Sequence, residues 1–164
     1  MKIIYLIRHA KSDRDNPNLA DFDRILNQKG IADALLIGNQ LKELHFNPAL
    51  IVCSTAQRAL QTLEIICNQT NCLQTNTIFD SFIYQCSINY LTFLTDSLPS
   101  KDNEVAIIGH NPGITLLSNY LINDIIDYIP TCGVVKIELE INDWKEIVQG
   151  IGSKKYFISP KTFI

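Results

Sequence analysis

The sequence contains no apolar stretch approaching the roughly 18 residues a bilayer span requires. Its first apolar run, Ile3-Ile4-Tyr5-Leu6-Ile7 ahead of Arg8, is also too short for the core of a secretory leader. A cytoplasmic protein is therefore expected, and no membrane partner. Basic residues are not in excess: 14 Lys and Arg against 17 Asp and Glu give a net charge of −3. That excludes a broad cationic face for nucleic acid, so any cation-rich site must be local. No CxxC pair occurs, and the five cysteines, Cys53, Cys67, Cys72, Cys86 and Cys132, are odd in number. They read as reduced thiols packed as small apolar residues, neither a disulfide framework nor a zinc site. Without secretion, the sequon Asn68-Gln69-Thr70 carries no meaning. There is no Walker A loop, no GxGxxG after a strand, no internal repeat and no low-complexity segment.

What is present is a chain of 164 residues, 46% hydrophobic and 19% charged, which suits one globular domain spanning residues 1–164 with a real core. Continuous Ile/Val-rich runs at residues 2–7, 50–53 and 105–108 predict strands covered on both faces. Residues 134–139 predict a further strand, and 146–148 a last one, paired as an edge hairpin through Asn142-Asp143. Residues 78–82 fit strand or helix. Helical spacing connects Ile31, Leu35, Leu36, Leu41 and Leu44, then Ala59, Leu60, Leu63, Ile66 and Cys67, then Ile114, Leu117, Leu121 and Ile122. Ser54-x-x-Gln57 has the form of a capping box for the second helix, and Asn111-Pro112 that of an N-cap and first turn for the third. Residues 13–23, with four aspartates, two asparagines and a proline, read as an irregular loop, as do the polar residues 68–77. Alternating strands and helices predict an α/β domain of three layers, a largely parallel central sheet flanked by helices.

Three strand ends share one chemistry. The first closes on Arg8-His9, the second on Cys53-Ser54 with Arg58 in the following turn, and the 105–108 strand on Gly109-His110. Ligands of open parallel sheets bind outside the carboxyl ends of the strands. Arg8 and Arg58 offer planar forks for phosphate oxygens. His110 precedes a helix N-terminus that also favours an anion. Imidazole can attack phosphorus directly, which makes His9 the candidate nucleophile, and a neighbouring arginine keeps its ring neutral. Taken singly, a strand-end histidine is more often a polar cap, Arg58 a surface ion-pair partner and His110 a turn residue; their coincidence on three strand ends carries the reading. His45 lacks such support and reads as a solvated loop histidine. Because the histidines keep company with arginines and not carboxylates, no metal site is expected. Cys53 and Arg58 are one residue too close for a cysteine-phosphatase loop.

Leu6-Ile7-Arg8-His9-Ala10-Lys11-Ser12 resembles the signature of the histidine phosphatase superfamily, which includes cofactor-dependent phosphoglycerate mutase, and its Ala-Lys-Ser form resembles the smaller SixA-type phosphohistidine phosphatases. Asp21-x-Asp23-Arg24-x-Leu26-Asn27-x-x-Gly30, Ser54-x-x-x-Arg58-Ala59-x-Gln61-Thr62 and Gly109-His110-Asn111-Pro112-Gly113 resemble further motifs of that group. Leu98-Pro99 and Ile129-Pro130-Thr131-Cys132-Gly133 fall where its later loops do, so the likeness covers essentially the whole chain. The resemblance implies a phosphoglycerate mutase-like fold, phosphorylation and hydrolysis at His9, a phosphate pocket of Arg8, Arg58 and His110, and no metal or organic cofactor. It implies as partner a phosphorylated protein carrying phosphohistidine, or a small phosphorylated substrate.

Two departures stand out. Where the mutases place a phosphate-binding asparagine this chain has Asp15, which is expected to point away from the anion. Where larger members supply a glutamate acid it has Gln85, with Asp23 and Asp80 as possible substitutes. An alkoxide leaving group needs a proton, whereas the imidazole of phosphohistidine can be protonated beforehand. The missing acid therefore favours a phosphoramidate substrate. The alternatives are a small-ester phosphatase of the sugar-phosphate type and a silent phosphoryl-binding module.

Overall fold

In the computed structural model, residues 1–72 and 76–164 are described. In chain order they form β1 (Lys2–Arg8), α1 (Gln28–Glu43), β2 (Leu50–Ser54), α2 (Gln57–Thr70), β3 (Thr77–Asp80), α3 (Ile88–Asp96), β4 (Glu104–Gly109), α4 (Gly113–Leu121), β5 (Val134–Leu139) and β6 (Gly152–Ile158). The strands make one six-stranded sheet in the order β3-β2-β4-β1-β5-β6. The first three pairings are parallel and the last two antiparallel.

Strand alternation builds the three layers. Ile4 and Leu6 of β1, Val52 of β2 and Ile107 of β4 pack on one face with Leu91 of α3 and Ile114 and Leu117 of α4. Tyr5, Ile7, Cys53 and Ile108 pack on the other with Ile37 and Leu41 of α1 and Leu63 and Ile66 of α2. Both faces are covered, which is why the inner strands read as continuous apolar runs. No helix of the described residues is long and apolar enough to cross a membrane.

The structure corrects several local expectations. The edge strand beside β5 is Gly152–Ile158, not 146–148. Asn142-Asp143 does not turn a hairpin. Asp143 caps a 3-10 turn at Trp144–Glu146, reciprocated by Glu146, and the indole of Trp144, fully buried, donates to the Asp102 carbonyl at 2.9 Å. Polar residues such as Ser153, Lys154 and Lys155 mask β6 as a strand, yet they suit an exposed edge. α1 buries Ala34, Ile37, Gly38 and Leu41, and leaves Ile31, Leu35 and Leu44 exposed. Gly38 allows that rotation, because a Cβ there would sit 2.9 Å from the Gln69 side chain of α2. α3 escaped the periodic pattern because its aromatic and β-branched residues are weak helix formers; the Ser87 side chain caps it by accepting from Tyr90 N–H at 3.2 Å. Ser54 ends β2 and makes no capping box, since Ala56 is the N-cap of α2 and has no side-chain bond. The Asn111 amide donates to the Ile129 carbonyl and its oxygen accepts from Thr115, so it ties a loop and does not cap α4. Of the polar segment 68–77, residues 68–70 finish α2, Thr77 opens β3, and 73–75 lie outside the described residues.

Candidate active site

Register brings the strand ends together. Arg8 is level with Gly109, and Cys53 with Ile108, so His9, Ser54 and His110 emerge at one rim. His9 and His110 open into a cavity of about 710 Å³ lined also by Arg8, Arg58, Asp21 and Tyr84. His9, Arg58 and His110 are 7%, 5% and 7% exposed.

Backbone bonds fix His9: its N–H donates to the Gly109 carbonyl and its carbonyl accepts from Cys132 N–H, each at 3.0 Å. Nδ1 of its ring lies 2.7 Å from the Ala10 carbonyl. A carbonyl only accepts, so Nδ1 carries the proton and Nε2 of the neutral ring keeps the lone pair. That lone pair accepts from Arg58 Nε at 3.2 Å. The rest of the Arg58 fork donates to Asp21, Nη1 to the backbone carbonyl at 2.6 Å and Nη2 to the carboxylate at 3.0 Å. Arg8 Nη1 donates to the Tyr128 hydroxyl at 2.5 Å and the Ile129 carbonyl at 3.0 Å. His110 shares a 2.8 Å hydrogen bond with Ser54 Oγ, and its ring lies 4.9 Å from that of His9. Arg8 Nε and His110 Nδ1 are buried without a hydrogen-bond partner among the described residues. Both residues line the cavity, where a bound anion can complete them.

Several participants escaped sequence reading as site residues. Asp21 joins two arginines: one carboxylate oxygen binds Arg24, the other Arg58 and the Tyr84 hydroxyl. Tyr84, with Arg24 and Arg58, holds the Asp21 carboxyl well below the usual carboxylate range. Arg24 in turn donates to Ser12 Oγ and the Asp13 carbonyl, so residues 11–13 are stitched to 24–27. Gly30 lets α1 meet that loop, because a Cβ would fall 2.0 Å from the Lys11 carbonyl oxygen. Thr62 bridges the Ala10 N–H and the Arg58 carbonyl, and Gln61 accepts from Leu26 N–H. Asp21, Gln61 and Thr62 sat inside quoted motifs, whereas Tyr84 and Tyr128 had no signal beyond adjacency to Gln85 and Ile129. Asp23 and Asp80 do not line the cavity, and Asp80 is occupied by Tyr90 and Phe82 N–H. Asp15, expected to turn away, stands exposed in the lining, where water screens its charge. His45 is exposed, with a left-handed φ of 56°, away from the cavity. No cluster of three or more His, Cys, Asp or Glu able to hold a metal occurs among the described residues.

Burial first, then the charges of His110, Arg58 and Arg8, push His9 down to about 3, against the opposing Ala10 carbonyl. Burial, then Arg58 and Arg8, push His110 down to about 4, with Asp21 opposing. Both rings are neutral near pH 7. The unfolded chain takes up these protons near pH 6.5, before the folded one does, so stability is lost as pH falls from about 6.5 through 4 to 3. Thermal midpoints recorded from pH 7 to 4 should fall, and fall less in a His9→Gln/His110→Gln double variant. Parallel profiles would contradict this assignment.

A parallel-sheet α/β fold with histidines and arginines gathered at its strand ends has the chemistry to bind and transfer a phosphoryl group. The family model of the histidine phosphatase superfamily (branch 1) matches residues 4–80. A structure described as the phosphohistidine phosphatase SixA of Agrobacterium tumefaciens superposes with a TM-score of 0.81 at 25% identity, covering 97% of this chain and 98% of that one. A protein histidine phosphatase SixA complexed with tungstate gives 0.83 at 21% identity over 99% of both chains. A chloroplastic protein of Arabidopsis thaliana is 28% identical over 151 residues, 87% of this chain and 69% of that one. Residues 4–80 thus match the histidine phosphatase superfamily, and the chain as a whole has the fold of the SixA structures.

Proposed function

We propose that the protein hydrolyses phosphohistidine carried on another protein, through a phosphohistidine formed on its own His9. The observation that carries the reading is the ring of His9, whose Nδ1–H is tied to the Ala10 carbonyl while Nε2 keeps its lone pair among Arg58, Arg8 and His110. Nε2 attacks phosphorus as the substrate P–N bond breaks. The departing ring, already protonated on its other nitrogen, leaves as neutral imidazole. Water then attacks the phosphorus on His9, releasing phosphate and restoring the neutral ring, with the surplus proton passing to solvent. Arg58, the unpaired Arg8 Nε and His110 Nδ1 would hold the phosphoryl oxygens.

The choice of phosphoramidate rests on the acid. No glutamate lines the cavity, Asp23 and Asp80 lie outside the lining, Asp21 is held ionised, and Asp13 and Asp15 stand at the mouth among the outer cations. An alkoxide leaving group would find no proton from these groups. Purified protein should turn over phosphohistidine at least about tenfold faster than phosphoserine-type esters. Equal or better turnover of the esters would overturn the assignment in favour of a small-ester phosphatase.

A further inference from the structure

The cavity mouth concentrates positive charge that phosphate binding does not use. Seven of the chain's 14 Lys and Arg line this cavity, with only three of its 17 Asp and Glu. The remainder of the chain therefore has a marked acidic excess. Among the lining cations, Arg8 and Arg58 belong to the inner pocket, Arg24 is bound to Asp21 and Ser12, and Lys29 pairs with Asp33 at 3.0 Å. Lys11, Arg14 and Lys161 are exposed and have no hydrogen bond or ion pair from their side chains among the described residues. They come from two separate parts of the chain, the loop after β1 and the 3-10 turn Pro160–Phe163. The acids that share the mouth with them are Asp13 and Asp15, and Asp13 accepts from Asp15 N–H at 2.8 Å.

One exposed lysine is an ordinary solvated charge. Three unpaired cations around one opening, on a molecule otherwise rich in acid, create a field that attracts anions there and repels them elsewhere. A phosphoryl group seated on His9 is met by buried groups. What meets the outer cations is whatever flanks that group. A small phosphoramidate presents nothing to them, whereas a protein segment lays its neighbouring side chains across the mouth.

We infer that Lys11, Arg14 and Lys161 recognise acidic side chains flanking the phosphohistidine of the protein substrate. This inference rests on the phosphohistidine reading above. Its charges act on encounter and orientation, so they govern kcat/KM and its salt dependence and leave kcat little changed.

The test uses two synthetic peptides phosphorylated on a single histidine, one flanked by glutamates and one by glutamines in the same positions, with phosphoimidazole, which has no carboxylate, as the small substrate. Wild-type protein should prefer the glutamate peptide, with kcat/KM falling as salt rises. The Lys11→Gln/Arg14→Gln/Lys161→Gln variant should lose about tenfold in kcat/KM on that peptide, together with its salt dependence. It should match wild type on phosphoimidazole, which also shows that it is folded. If wild type treats both peptides alike, or if the variant loses equally on all three substrates, recognition of acidic flanks is overturned while the phosphohistidine reading stands. If wild type hydrolyses none of the three, that reading fails and this inference fails with it.

Discussion

With His9 replaced by alanine, turnover is expected to fall at least about a thousandfold, because the imidazole proposed to take the phosphoryl from the substrate is gone. The fold should survive. The strand-end bonds at residue 9, to the Gly109 carbonyl and from Cys132 N–H, are made by backbone and persist in the variant. The side chain lost faces a polar cavity and not the apolar layers. Wild-type protein quenched during turnover should carry a base-stable, acid-labile phosphate label, absent from His9→Ala. A variant that keeps a tenth of the activity, or a label that persists, would place the nucleophile elsewhere. The same comparison separates an enzyme from a silent phosphoryl-binding module, since a binder has no use for a transferable phosphate.

Arg58→Ala should cost on the order of a hundredfold or more in kcat, the loss seen when a preorganised donor to a developing charge is removed. Arg58→Lys should recover little. The native fork commits three separate N–H directions at once, to His9 Nε2, the Asp21 carbonyl and the Asp21 carboxylate, and an ammonium cannot reproduce that plane. Since Nε is bonded to the nucleophile's lone pair, it must pass to a phosphoryl oxygen when substrate arrives. Asp21 holds the far side of the guanidinium and acts through it, as a positioning residue. Asp21→Asn should therefore lower kcat by about tenfold with a smaller change in KM. Combined with Arg58→Ala it should add almost nothing, because the two act as one unit. Additive losses in that double variant would show that Asp21 has a role independent of Arg58.

The inner strands were legible because burial on both faces forces continuous Ile/Val runs, and those runs end where Arg8-His9, Ser54 and His110 begin. The same logic fails at the sheet edge. β6 keeps its lysines in water and so has no apolar signature, while Ile147 and Val148, just after the Trp144 turn, imitate a short strand. The face of α1 was misread for a related reason. Its helical spacing fitted two neighbouring stripes, and only the close approach at Gly38 chose between them. In the site, Arg8, His9, Arg58 and His110 could be named from strand ends. Asp21 and Tyr84 could not be assigned work, because their importance lies in bonds to residues 37 and 63 positions away.

By itself the sequence determined the layered α/β architecture, the rim of strand ends and the four side chains delivered there, since each follows from local periodicity and from where a strand stops. Tertiary structure alone decided which nitrogen of His9 is free, what holds Arg58 in its plane, that neither Asp23 nor Asp80 reaches the cavity, and that Lys11 and Lys161 share one mouth. These depend on strand register and on hydrogen bonds between distant segments, which no spacing along the chain encodes.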